Sequence, residues 1–85
     1  MLYESALAIN GGRVPRKIRE LKADLQKAGF RLRPGKGSHT VWKHPLLPNE
    51  RVSLAGNDGD DAERYQEREV RIALEKLRDA QRRQP

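Results

Sequence analysis

The spacing of apolar residues changes period twice along this chain, and that constrains its fold more than any other feature. Ile18, Leu21, Leu25 and Ala28 recur at three- and four-residue steps, which puts them on one stripe of an α-helix. Between residues 30 and 54 the pattern alternates, as in Phe30-Arg31-Leu32-Arg33 and Arg51-Val52-Ser53-Leu54, so successive side chains fall on opposite faces of strands. Val70, Ala73, Leu74 and Leu77 then return to helical spacing. Each element has one apolar side and must bury it against another. The order predicts a two-layer α+β sandwich, α-β-β-β-α, with a three-stranded antiparallel sheet open to solvent on one face.

Boundaries follow from turn and cap signals. Pro15 suits a first helical position, and Gly29 is placed to end that helix in a left-handed cap. Trp42, the largest apolar residue, is expected inward, which turns Thr40 and His44 inward and His39, Val41 and Lys43 outward. Pro45 to Asn49 reads as a loop, because its two prolines resist continuing a sheet. Phe30 and Leu32 are expected to face the helices in the first strand, and Val52 and Leu54 to face inward in the third. Ala55 to Ala62 reads as a second loop, and a helix follows from Glu63 or Glu67 to Arg82, with Tyr65 adding a contact if it starts early. Asp58, Asp60 and Asp61 do not have EF-hand spacing; acidic residues ahead of the second helix complement its dipole instead. Residues 15–82 thus form the domain and 83–85 a tail. Residues 1–14 form an extension, in which Leu2, Ala6, Leu7 and Ile9 suit a short helix or an edge strand as well as they suit disorder.

Eighty-five residues with 35% apolar content support one domain with a small core. The chain has no cysteine, hence no disulfide or thiolate chemistry. It has no apolar run near the length of a membrane span and no signal-peptide pattern, so a cytoplasmic location is the default. Its net charge of +6 is uneven. Residues 1–51 hold 11 Lys/Arg against 4 Asp/Glu, whereas residues 52–85 hold 7 against 8. The basic half favours a polyanionic partner such as RNA.

Chemistry concentrates in Gly35-Lys36-Gly37-Ser38-His39-Thr40-Val41-Trp42-Lys43-His44-Pro45, which holds both histidines and the only tryptophan. Glycines at 35 and 37 allow a tight turn and close approach of a phosphate to backbone N–H groups. An imidazole just after such a turn can take or give a proton near neutral pH. Alternation collects Arg31, Arg33, His39, Lys43 and Arg51 on the open face. His39 is the candidate base, or alternates as base and acid. Lys36 and Lys43 are candidates to stabilise phosphate charge, and Ser38 with the N–H groups near Gly37 to hold a phosphate oxygen. Arg31 and Arg33 are candidate backbone contacts. His44 points inward beside Pro45, where capping a loop is preferred to proton transfer. Two histidines without further ligands make no zinc site, so no metal or other cofactor is expected.

Gly29-Phe30, Lys36-Gly37-Ser38-His39 and Trp42-Lys43-His44-Pro45, with the later Arg51-Val52-Ser53-Leu54 strand and the Val70 to Leu77 helix, resemble the HicA family of toxin messenger-RNA interferases. The likeness spans about residues 16 to 78. It implies a fold similar to double-stranded-RNA-binding domains, an endoribonuclease activity on messenger RNA, and a HicB-like antitoxin covering the histidine face. Family members usually carry histidine or proline after the third strand. Here Ala55-Gly56-Asn57 stands in a longer loop, so the resemblance supplies no helper for His39 from that side. The rival reading is a non-catalytic RNA-binding module that uses its helices; a third is an inactive relative kept as a protein-binding partner.

Overall fold

A computed structural model describes residues 14–83 of the chain. The extension before residue 14, including the expected element at Leu2, Ala6, Leu7 and Ile9, lies outside the described residues, as do the last two residues of the tail. The order is α1 (Ile18–Lys27), β1 (Arg31–Pro34), β2 (Thr40–His44), β3 (Leu47–Leu54) and α2 (Arg64–Arg82). The three strands form one antiparallel sheet in the order β1-β2-β3. The expected α-β-β-β-α arrangement is therefore present. No helix among the described residues is long and apolar enough to cross a membrane.

The core is built from the predicted stripes. Ile18, Leu21 and Leu25 of α1, Phe30, Trp42, Val52, Leu54, and Val70, Ala73 and Leu77 of α2 are all buried. Register accounts for the sheet's contribution. Leu32 pairs with Trp42 and Trp42 with Val52, so these three side chains share the helix-facing side. Leu32 nevertheless stays 51% exposed, contrary to the expectation that it packs under the helices. β1 is an edge strand, and α2 packs chiefly on β3 at the other edge. Trp42 keeps its polar atom satisfied: Nε1 donates to Thr40 Oγ1 at 3.0 Å, and that hydroxyl donates to the Leu54 carbonyl at 3.4 Å.

Two boundary expectations and two side-chain expectations change. Pro15 lies three residues ahead of α1, whose N-cap is Lys17 and whose Glu20 Oε1 accepts the Lys17 N–H at 2.9 Å. β3 begins at Leu47 and includes Pro48. A proline is tolerated because β3 is an edge strand with a register irregularity opposite Trp42 and His44. Helix α2 starts early, at Arg64, yet Tyr65 remains 52% exposed. Gln66 turns inward instead, accepting the Glu63 N–H through Oε1 and donating to the Ala55 carbonyl through Nε2.

The fourth change concerns the acidic loop. It serves the first helix as well as preceding the second. The Asp60 and Asp58 carbonyls accept the Ile18 and Arg19 N–H groups at 2.9 and 3.1 Å, satisfying donors that a helix start leaves open. Lys17 pairs with Asp61 at 2.6 Å and Lys22 with Asp58 at 2.7 Å. Arg16 pairs with Asp24 at 2.6 Å, and that hydrogen bond raises the guanidinium pKa further. The loop is thereby fixed to α1 across about forty residues of sequence.

Candidate nucleic-acid interface

The β1–β2 connection is a short hairpin loop. Pro34 pairs with Thr40 as the last strand pair, and the Gly35 N–H donates to the His39 carbonyl at 3.0 Å. Inside it, the His39 N–H donates to the Lys36 carbonyl at 3.0 Å, closing a β-turn through Gly37, which has φ +58°. Gly37 supplies an angle that is costly for other residues. At Gly35 the constraint is steric. A Cβ there would lie 3.1 Å from the His39 carbonyl oxygen and 3.3 Å from the His39 Cβ, so the glycine makes room for the histidine.

His39 is exposed, as are Arg31, Arg33, Lys36, Gly37, Ser38 and Arg51, while Lys43 and Val41 are half-buried. The register sets their order. Arg31 faces Lys43, and Arg33 faces Val41, which faces Ser53. One open face therefore carries Arg33, Arg31, Lys43 and Arg51, with His39 at its turn end. Arg31, Arg33 and Lys43 also line a hollow with Pro45 and Pro48. None of Arg31, Arg33, Lys36, Lys43 and Arg51 is in an ion pair among the described residues. Among the described residues, the carboxylates lie elsewhere: on the helices, in the loop before α2, and at Glu50, which reaches Lys76 of α2 at 3.1 Å on the helix side. A face with cations and no carboxylate holds an unneutralised positive potential.

The arrangement reorders the candidate cations. Lys43 is four residues along β2 from His39, roughly 13 Å at strand rise. Arg33 sits across the strand pair from Val41, about 8 Å from His39 between Cα atoms. Arg33 and Lys36 thus lie nearer His39 along the backbone than Lys43 and Arg31 do.

Residues 18–81, or 64 of the 85, match the family model described as the HicA toxin of bacterial toxin–antitoxin systems. The chain belongs to the HicA toxin family. No curated protein and no solved structure gives a match. The matched span contains the whole sheet and the Lys36-Gly37-Ser38-His39 turn. Membership in a toxin–antitoxin family also implies an antitoxin partner.

The second histidine of this HicA-family chain has a structural place. His44 lies on the opposite side of β2, about 17 Å from His39 along the strand, so the two do not meet at one phosphate. Its Nδ1 accepts the Leu46 N–H at 3.1 Å and its ring meets Phe30 edge-on at 5.2 Å. It caps the β2–β3 turn, as expected from alternation. It also explains Gly29, which has φ +98° and where a Cβ would lie 3.0 Å from His44 Nε2. His44→Ala is expected to cost about 1–2 kcal/mol through the lost cap and ring contact. A denaturant midpoint unchanged from the parent would refute that role.

A larger groove lies on the helical layer, lined by Arg16, Arg64, Arg68 and Arg78 among others. Asp24, Glu67 and Glu75 interleave with these arginines, which lowers the field there relative to the open sheet face. Sequence reasoning missed one participant near the histidine. The Gly56 N–H donates to Ser38 Oγ at 3.2 Å, so the longer loop does reach the turn. Nothing in the local sequence signals this pairing across 18 residues.

Proposed function

We propose that this chain is the toxin endoribonuclease of a toxin–antitoxin pair, cleaving messenger RNA by acid–base catalysis centred on His39. The observation that carries the reading is an exposed histidine at the end of a sheet face that is cationic and, among the described residues, free of carboxylates, in a HicA-family chain. RNA supplies its own nucleophile. His39 removes the proton from a ribose 2′-OH, the 2′-oxygen bonds to the adjacent phosphorus, and the bond to the 5′-oxygen breaks. The protonated imidazole returns its proton to that leaving oxygen, so the products are a 2′,3′-cyclic phosphate and a 5′-hydroxyl. Arg33 and Lys36 offset the charge on the pentavalent phosphorus. Arg31 and Lys43 hold flanking phosphates, and the backbone N–H groups of the Gly37 turn approach a phosphate oxygen.

The same face suits a HicB-like antitoxin. A partner presenting carboxylates or carbonyls to Arg31, Arg33 and Lys43 would neutralise the potential and cover His39.

Incubation of the purified chain with messenger RNA in EDTA tests the chemistry. Fragments ending in 2′,3′-cyclic phosphate support the mechanism. Cleavage that requires added magnesium overturns it, and binding without cleavage transfers the assignment to an RNA-binding module. Affinity is expected to fall steeply with salt. Neutralising Arg31, Arg33 or Lys43 should lower the log–log salt slope by about one per cation. A slope that does not change in any of the three variants would remove this face from the RNA contact.

A further inference from the structure

We propose that Ser38 is a positioning residue for His39, acting through the backbone amide of Gly56. The inference rests on His39 as the proton-transfer residue, and it concerns what fixes that residue in space. The hairpin that carries it projects from the core: every residue from Arg31 to His39 is exposed. Within the turn, the Gly35–His39 and His39–Lys36 hydrogen bonds tie the loop to itself. Among the described residues, the Gly56 N–H to Ser38 Oγ contact at 3.2 Å is the one side-chain hydrogen bond between residues 35–39 and the rest of the fold.

The far end of that contact is anchored to both helices. Gly56 has φ +126° and lies so close to α1 that a Cβ would come within 3.2 Å of Ile18 Cγ1. Next to it, the Asn57 N–H donates to Asp60 Oδ2 and the Asp60 N–H to the Asn57 carbonyl, each at 2.9 Å. Asp58 and Asp60 carry the carbonyls that cap α1, and Asp58 holds Lys22. On the other side the Ala55 carbonyl is held by buried Gln66 of α2 at 2.9 Å. Ser38 therefore joins an exposed turn to a point the helices fix.

The chemistry of the bond has a second consequence. A serine hydroxyl has one proton and two acceptor lone pairs. With the Gly56 N–H on the oxygen, the hydroxyl proton is left to donate elsewhere. The backbone that Ser38 orients leads directly into His39, and proton transfer depends on hydrogen-bond reach. A misplacement of about 1 Å costs up to about a hundredfold in rate.

The test compares Ser38→Ala, which removes the acceptor, with Ser38→Thr, which keeps it. In the free protein, Ser38→Ala is expected to speed Gly56 amide hydrogen exchange by about fivefold to tenfold and to shift the ring-proton resonances of His39. On RNA it should lower kcat by about tenfold or more with KM within about twofold, and Ser38→Thr should restore all three readouts. A rise in KM at unchanged kcat makes Ser38 a phosphate contact and overturns the proposal. So does a loss of kcat with Gly56 exchange unchanged, or faster exchange with His39 resonances and kcat unchanged. If the parent cleaves no RNA, the proposed function fails separately. The free-protein measurements then decide: unmoved His39 resonances in Ser38→Ala overturn the link, and shifted ones uphold it.

Discussion

His39→Ala is expected to lower RNA cleavage by about 10²–10⁴-fold, the usual worth of one general acid–base group, and to abolish toxicity in a bacterial host. Three features support an effect of that size. His39 sits at the turn end of the open face, whereas His44, the other histidine, is on the helix side and bound to the Leu46 N–H. No second imidazole is therefore available to replace it. Arg33, Lys36 and Lys43 remain to bind phosphates, so affinity for RNA should stay within a few-fold of the parent. The side chain is exposed and packs nothing in the core, so the melting temperature should move by no more than about 2 °C. Cleavage rate, filter-binding affinity and thermal melting on the same preparation separate the outcomes. A variant that cleaves as fast as the parent removes His39 from the mechanism. One that unfolds, or that loses RNA binding in step with cleavage, makes it a structural or binding residue.

Trp42→Ala is expected to have the largest effect on stability. Trp42 is 3% exposed at the centre of the sheet, between Leu32 and Val52 in register. Truncating a buried aromatic costs about 3–5 kcal/mol in lost transfer energy and cavity formation. The change also removes the indole N–H that donates to Thr40 Oγ1. A domain of this size has about 5–15 kcal/mol in total, so the variant should melt at least roughly 15 °C lower or fail to fold at room temperature. A decrease below about 5 °C would mean that the sheet packs on the helices differently. Trp42→Ala and His39→Ala are thus expected to give opposite signatures, a loss of stability in one and of cleavage in the other, from residues three apart in one hairpin.

Much of this was legible in the sequence because the information was local. Helical spacing placed Ile18, Leu21, Leu25, Ala28, Val70, Ala73, Leu74 and Leu77 toward the core; Ala28 and Leu74 are partly buried against it and the others are buried. Two-residue alternation separated Trp42 from His39 and aligned Arg31, Arg33 and Lys43 on the other face, because neighbouring side chains in a strand point opposite ways. The Lys36-Gly37-Ser38-His39 signature pointed to the HicA family, and the family match agrees. What period cannot reveal is which strand lies at an edge, how far a helix covers it, or which loop meets which turn. Leu32 alternates correctly and is still half exposed, because β1 is an edge strand.

The sequence by itself determined the order of elements, the two faces of the sheet and the turn that carries His39. Those follow from bond geometry and from steps of two to four residues, so they need no partner distant in the chain. Only the tertiary structure decided that Asp58 and Asp60 cap α1, that Glu50 turns away to Lys76, and that Gly56 reaches Ser38. These contacts join residues 18 to 42 positions apart. Each depends on the packing of helices and loops, because bringing distant residues together costs loop-closure entropy that local geometry does not offset.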